Sequence, residues 1–143
     1  MRHHARGVAF AATGRVREAR AEQQALAAAA KKVPDEAQVG NNPAAAVLAV
    51  AADVLEGEVL FREGKVGDAA AALERAVRKE DALRYSEPPD WFVPVRHALG
   101  AVLLRDGRAA AAEAMYREDL RRWPENGWSL HGLAAALAAQ GKK

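Results

Sequence analysis

Four histidines, His3, His4, His97 and His131, are the groups in this 143-residue chain best suited to acid–base or metal chemistry. His3 and His4 are adjacent, and neighbours on a helix point in different directions. No HExxH or other local spacing sets two histidines on one face. A metal or acid–base site would have to draw His97 and His131 together with Glu58 from distant parts of the chain. The plainer reading lets His97 line a groove and His131 fill a packing position. Cysteine is absent, which removes disulfides, thiolate nucleophiles and cysteine-ligated zinc. The glycines make no phosphate-cradling GxGxxG, and no serine sits in a nucleophile elbow. Acidic residues recur along helix faces as partners of lysine and arginine, so no carboxylate pair stands out. The expectation is a non-enzyme with no catalytic residues, no metal ligands and no cofactor.

Charge narrows the partners further. The formal net charge is only +2, with both signs interspersed, so the basic stripe with stacking aromatics that a nucleic-acid surface needs is missing. The longest apolar run, Ala44 to Ala52, is far short of the ~20 residues of a membrane span. The N-terminus lacks the apolar core of a signal peptide. A cytoplasmic protein with no membrane and no nucleic-acid partner is expected.

The elements that would position these residues follow from alanine, the best helix former, which dominates the apolar half of the chain. All-α is the fold class, and an internal repeat organises it. Three stretches align on a glycine: GVAFAATGRVREA from Gly7, GEVLFREGKVGDA from Gly57 and GAVLLRDGRAAAA from Gly100. A second glycine stands seven residues later (Gly14, Gly64, Gly107) and an alanine five beyond that (Ala19, Ala69, Ala112). Phe10, Leu60 and Leu103 occupy equivalent apolar positions. The pattern describes a helical hairpin. The early glycine lets the second helix approach, the later one ends the first helix in a left-handed cap, and the alanine sits at the tight point of the crossing.

On these residues the chain resembles the tetratricopeptide repeat, a helix–turn–helix unit. The stretches from Asp53 to Asp81 and from Arg96 to Pro124 match most fully, the second departing at Asp119, where the family prefers alanine. The resemblance implies a single domain over 1–143, an α-solenoid of about three hairpins (1–33, 44–81 and 94–124) closed by a C-terminal helix over 126–141, with linkers at 34–43 and 82–93. The large residues Phe10, Leu60, Leu73, Leu103, Tyr116, Trp123 and Trp128 are expected to carry much of its core.

The family binds proteins or peptides in a concave groove lined by the first helix of each hairpin. Carried over by position, that face comprises Val54, Glu58, Phe61 and Arg62, then His97, Ala101, Leu104 and Arg105, then Ser129, Leu133, Ala136 and Leu137. The carboxylate clamp of the best-known subgroup is absent, its positions holding His4, Val8, Leu55, Pro94 and Ala98. The expected function is thus a scaffold or adaptor for a protein or peptide partner. The alternative is a small-ligand- or metal-binding sensor, or an accessory part of a larger bacterial protein.

One stretch interrupts the pattern. RYSEPPDWFVPVR, from Arg84 to Arg96, holds three of six prolines and three of eight aromatics. Proline restricts the residue before it, so Glu87 is pushed from helical conformation, and the segment reads as a stiff spacer. Tyr85, Trp91 and Phe92 either plug the wedge it creates or face a partner. The first hairpin begins without a polar capping helix, which solenoids normally need. A fragment of a longer protein, or self-association through that N-terminal edge, is the corresponding expectation.

Overall fold

The computed structural model describes residues 1–142. Its helices are α1 (Arg2–Ala12), α2 (Val16–Ala30), α3 (Ala44–Arg62), α4 (Val66–Asp81), α5 (Val95–Arg105), α6 (Ala109–Arg122) and α7 (Gly127–Ala139). The strands β1 (Gln38–Val39) and β2 (Asn42–Pro43) form one short antiparallel hairpin, Gln38 opposite Pro43. The architecture is all-helical, with helix packed on helix. It divides into two compact units, Met1–Phe92 and Val93–Lys143. Among the described residues no helix is long and apolar enough to cross a membrane.

Three helix-to-helix turns are near copies of one another. Gly14, Gly64 and Gly107 have φ of 76°, 77° and 74°, a left-handed conformation open to glycine without a Cβ penalty. Each turn makes the same two bonds. Arg15, Lys65 and Arg108 donate backbone N–H to Phe10, Leu60 and Leu103 carbonyls at 2.8, 3.0 and 2.9 Å. Gly14, Gly64 and Gly107 donate to Ala11, Phe61 and Leu104. This is the six-to-one and five-to-two pairing of a Schellman cap, which satisfies carbonyls a helix end would otherwise orphan. Gly141 closes α7 in the same way, with Lys142 N–H bonded to the Leu137 carbonyl at 3.0 Å.

Past each turn the expected close approach is present. Ala19, Ala69 and Ala112 are all 0% exposed. The early glycines make room as expected in two hairpins: a Cβ on Gly57 would stand 2.6 Å from Leu73 of α4, and one on Gly100 would collide with the Tyr116 ring of α6. The first hairpin differs, because Gly7 makes room for Leu55 of α3 rather than for its own second helix. Tyr116 is pressed from two sides, since a Cβ on Gly132 of α7 would also enter its ring.

Unit one buries Ala11, Ala19, Leu26, Ala51, Leu55 and Val59 as one cluster between α1, α2 and α3. Leu73 of α4 is fully buried behind Gly57. In unit two, Leu99, Leu103, Ala112, Tyr116 and Ala136 are buried. Several residues expected in the core are not there. Trp128 is 77% and Trp123 39% exposed, because Trp128 lies on the outer face of α7 and Trp123 ends α6. His131 is exposed on α7 too, not packed. Phe10 is half-buried but does pack against the unit-one cluster; Leu60 is also half-buried, and on α3 the neighbouring Val59, at 0% exposure, takes the inward position instead.

The two linkers are bonded to each other. Gly40, at φ 54°, opens the β1–β2 turn, and a Cβ there would strike the Asp90 carboxylate. Asn42 is 2% exposed. Its side chain accepts from Arg84 N–H at 2.7 Å and donates to the Arg84 carbonyl at 3.0 Å and to Asp90 Oδ2 at 2.7 Å. Asn41 adds a backbone bond to Asp90 and a side-chain bond to the Tyr85 carbonyl. The Glu87–Pro88 peptide within this segment is cis.

Candidate functional site

The groove positions of unit one all fall on α3. Val54, Glu58 and Phe61 are half-buried and Arg62 is exposed. The Arg62 guanidinium lies 5.5 Å from the Phe61 ring centroid, within the range of a cation–π contact. Burial pushes the Glu58 carboxyl above its ordinary pKa, while Arg62 pulls it back down. This face therefore combines an aromatic ring, a partly desolvated acid and an accessible guanidinium.

In unit two, α5 carries half-buried His97 and Leu104 and exposed Ala101 and Arg105, and α7 adds half-buried Leu133 and Leu137. Ser129 and Ala136, placed on the same face by position, are instead 0% exposed. Both point into the packing of the unit, since α7 turns its Ser129, Gly132 and Ala136 side inward.

A network missed at the sequence level lies behind that face. Asp119 of α6 is 1% exposed. Its Oδ2 accepts from Ser129 Oγ at 2.6 Å, lies 3.1 Å from His97 Nε2, and is 3.4 Å from Asn126 Nδ2. Asn126 caps α7, its Oδ1 accepting from Trp128 N–H, so its Nδ2 is the end turned to Asp119 and His97. With Nε2 protonated, His97 donates to the carboxylate, and the Asn126 amide nitrogen then neighbours the ring without bonding to it. One buried acid thus joins α5, α6 and α7. Serine, histidine and aspartate meet here without the relay of a nucleophilic site, because Ser129 and His97 address the same carboxylate oxygen and Ser129 is sealed from solvent. The available sequence signal was an aspartate standing where the hairpin before it has Ala76.

The aromatic segment divides. Trp91 packs against the unit-one cluster and meets the His4 ring edge-on at 5.3 Å, with its buried indole N–H unpartnered. Tyr85 and Phe92 are 73% and 79% exposed. His4 Nδ1 is 3.0 Å from the Ala51 carbonyl, which it reaches as a donor. Burial lowers the His4 pKa, and the bond to Ala51 only partly opposes it.

Several basic residues near the N-terminus are engaged within unit one. His3 and Arg6 both reach Glu22, at 2.7 and 2.9 Å. Arg20 bridges from α2 to Glu56 of α3 and to Glu63, the residue that caps it, and Gln23 also bonds Glu56. The Arg20 and Lys65 bonds hold the Glu63 carboxyl down at about 2.

Among the described residues no three histidine, aspartate or glutamate side chains gather as a metal site. Unit one contains a pocket of about 350 Å³ where the start of α3 meets the end of α4, lined by Ala46, Ala49, Ala82 and Leu83 with Lys79 and Arg84. No protein-family model, curated protein or solved structure matches the chain.

Proposed function

We propose that the chain is a tetratricopeptide-like α-solenoid and acts as a protein- or peptide-interaction module rather than as an enzyme. The reading rests chiefly on the open face of α3, where Phe61 and Arg62 stand in cation–π contact beside half-buried Glu58. An aromatic with an adjacent arginine is the composition favoured at binding hot spots. The near-identical caps at Gly14, Gly64 and Gly107 support the repeat itself. In unit two the corresponding face is that of His97, Ala101, Leu104 and Arg105. Affinity capture from a lysate of the source organism should retain a partner on the wild type and lose it on the Arg62→Glu/Arg105→Glu variant. Equal capture by both proteins would refute a role for these faces.

A second reading, a small-ligand site, draws on the pocket beside Leu83 and Arg84. Its volume of about 350 Å³ falls at the low end of the range for small-molecule sites. A Leu83→Trp substitution, which fills the pocket, should abolish ligand-induced thermal stabilisation in a metabolite screen. Stabilisation undiminished by that substitution would place the ligand elsewhere.

A further inference from the structure

We infer that the open face of α3 takes a basic side chain of a peptide partner, a lysine or arginine whose cation seats against the Glu58 carboxylate. This rests on the interaction-module reading and adds to it the charge class of the partner. The other acids of α3 and its cap are paired. Asp53 lies 2.6 Å from Lys79 Nζ, and Glu56 and Glu63 share Arg20, at 2.9 Å each. Glu58 is half-buried like Asp53 and Glu56. Yet among the described residues its carboxylate makes no hydrogen bond and no ion pair, and only the more distant charge of Arg62 acts on it.

Arg62, four residues further on, is where a helix would place a partner for Glu58. Its guanidinium instead stands 5.5 Å from the Phe61 ring centroid. Burial raises the Glu58 carboxyl pKa, and the Arg62 charge only partly offsets the rise. The ionised acid is thus held where its lost hydration is not replaced.

The surroundings select what can replace it. Val54 lies one turn before Glu58 and Phe61 one turn after, both half-buried. The alkyl stem of a lysine or arginine can lie along such apolar neighbours while its charged head reaches the carboxylate. A neutral or acidic partner residue would seal Glu58 further from water and leave its charge unpaired, which is costly. The same acid therefore attracts one class of partner and rejects another.

Selection of a random peptide library displayed on phage against the full chain tests the inference. The wild type should enrich lysine or arginine at one position of the selected peptides, and Glu58→Gln should lose that enrichment. A selected peptide should bind the wild type about tenfold more tightly than its lysine-to-norleucine form, and the two should bind Glu58→Gln alike. Glu58→Gln keeps the shape of the side chain and removes the charge, so it should unfold at a temperature no lower than the wild type. A lowered midpoint would show that Arg62 already satisfies the carboxylate and would overturn the inference. Peptides that depend on Arg62 but show no basic preference would overturn it too, while leaving the interaction module standing; a library from which nothing is enriched would remove both. A mass that climbs with protein concentration in the wild type but not in Glu58→Gln would make the occupant a second copy of this chain, and the peptide partner would fall.

Discussion

Replacing Asp119 by alanine perturbs unit two where three helices share one acceptor. The largest loss is the 2.6 Å bond from Ser129, whose hydroxyl is fully buried; a hydrogen bond to a charged group contributes about 1.5–3 kcal/mol. His97 and Asn126 lie at 3.1 and 3.4 Å and are only half-buried, so water recovers part of their loss and each adds under about 1 kcal/mol. Desolvation of the carboxylate is relieved on truncation and offsets some of this. The expected destabilisation is about 2–3 kcal/mol, the cost of leaving a buried hydroxyl and two half-buried donors without their shared acceptor. Urea unfolding followed by circular dichroism would measure it. Ser129→Ala introduced on the Asp119→Ala background should then cost much less than it does alone, because the hydroxyl is already orphaned. A loss below about 1 kcal/mol, or additive single-mutant costs, would show that the network does not hold the helices together.

Two other perturbations follow from the packing and the titrating groups. Gly132→Ala drives a methyl into the Tyr116 ring and should destabilise by about 1–3 kcal/mol; the same change at Gly67, where a Cβ meets open space, should not, and equal midpoints for the two variants would refute the fit. Burial holds the His4 pKa below its ordinary 6.5. Its contribution is therefore complete above that value and lost as pH falls toward the folded pKa. The wild type should lose more stability than His4→Gln on acidification through this window, and parallel pH profiles of the denaturation midpoint would exclude His4.

Hairpin positions could be read from sequence because they depend on local chemistry. A glycine cap followed five residues later by a sealed alanine leaves a signature at fixed spacing, and Gly64 with Ala69 shows both parts. Burial along a single helix was harder to read. On α3 the choice between Leu60 and Val59 depends on α1, α2 and α4 packing around it, a constraint no local spacing encodes. Trp128 was misassigned for a related reason: size suggests core, but small Gly132 and Ala136 face inward because bulky Tyr116 occupies the space opposite. The β1–β2 pairing could not be seen in a segment that reads only as a turn. Asp119 was visible as an anomaly, but its partners come from two other helices, and their convergence appears only in three dimensions.

The clip between the linkers bears on how unit one assembles. Each helical hairpin is built from contacts close in sequence, the kind that form early and quickly. The bonds from Asn41 and Asn42 to Arg84, Tyr85 and Asp90 instead join residues 42 to 49 apart, enclosing the whole of α3 and α4. Closing so long a loop costs entropy that only a finished hairpin can already have met. The clip is thus a late step, a latch that closes after α3 and α4 have docked. Substitutions at Asn42 or Asp90 would then speed unfolding while leaving the folding rate nearly unchanged.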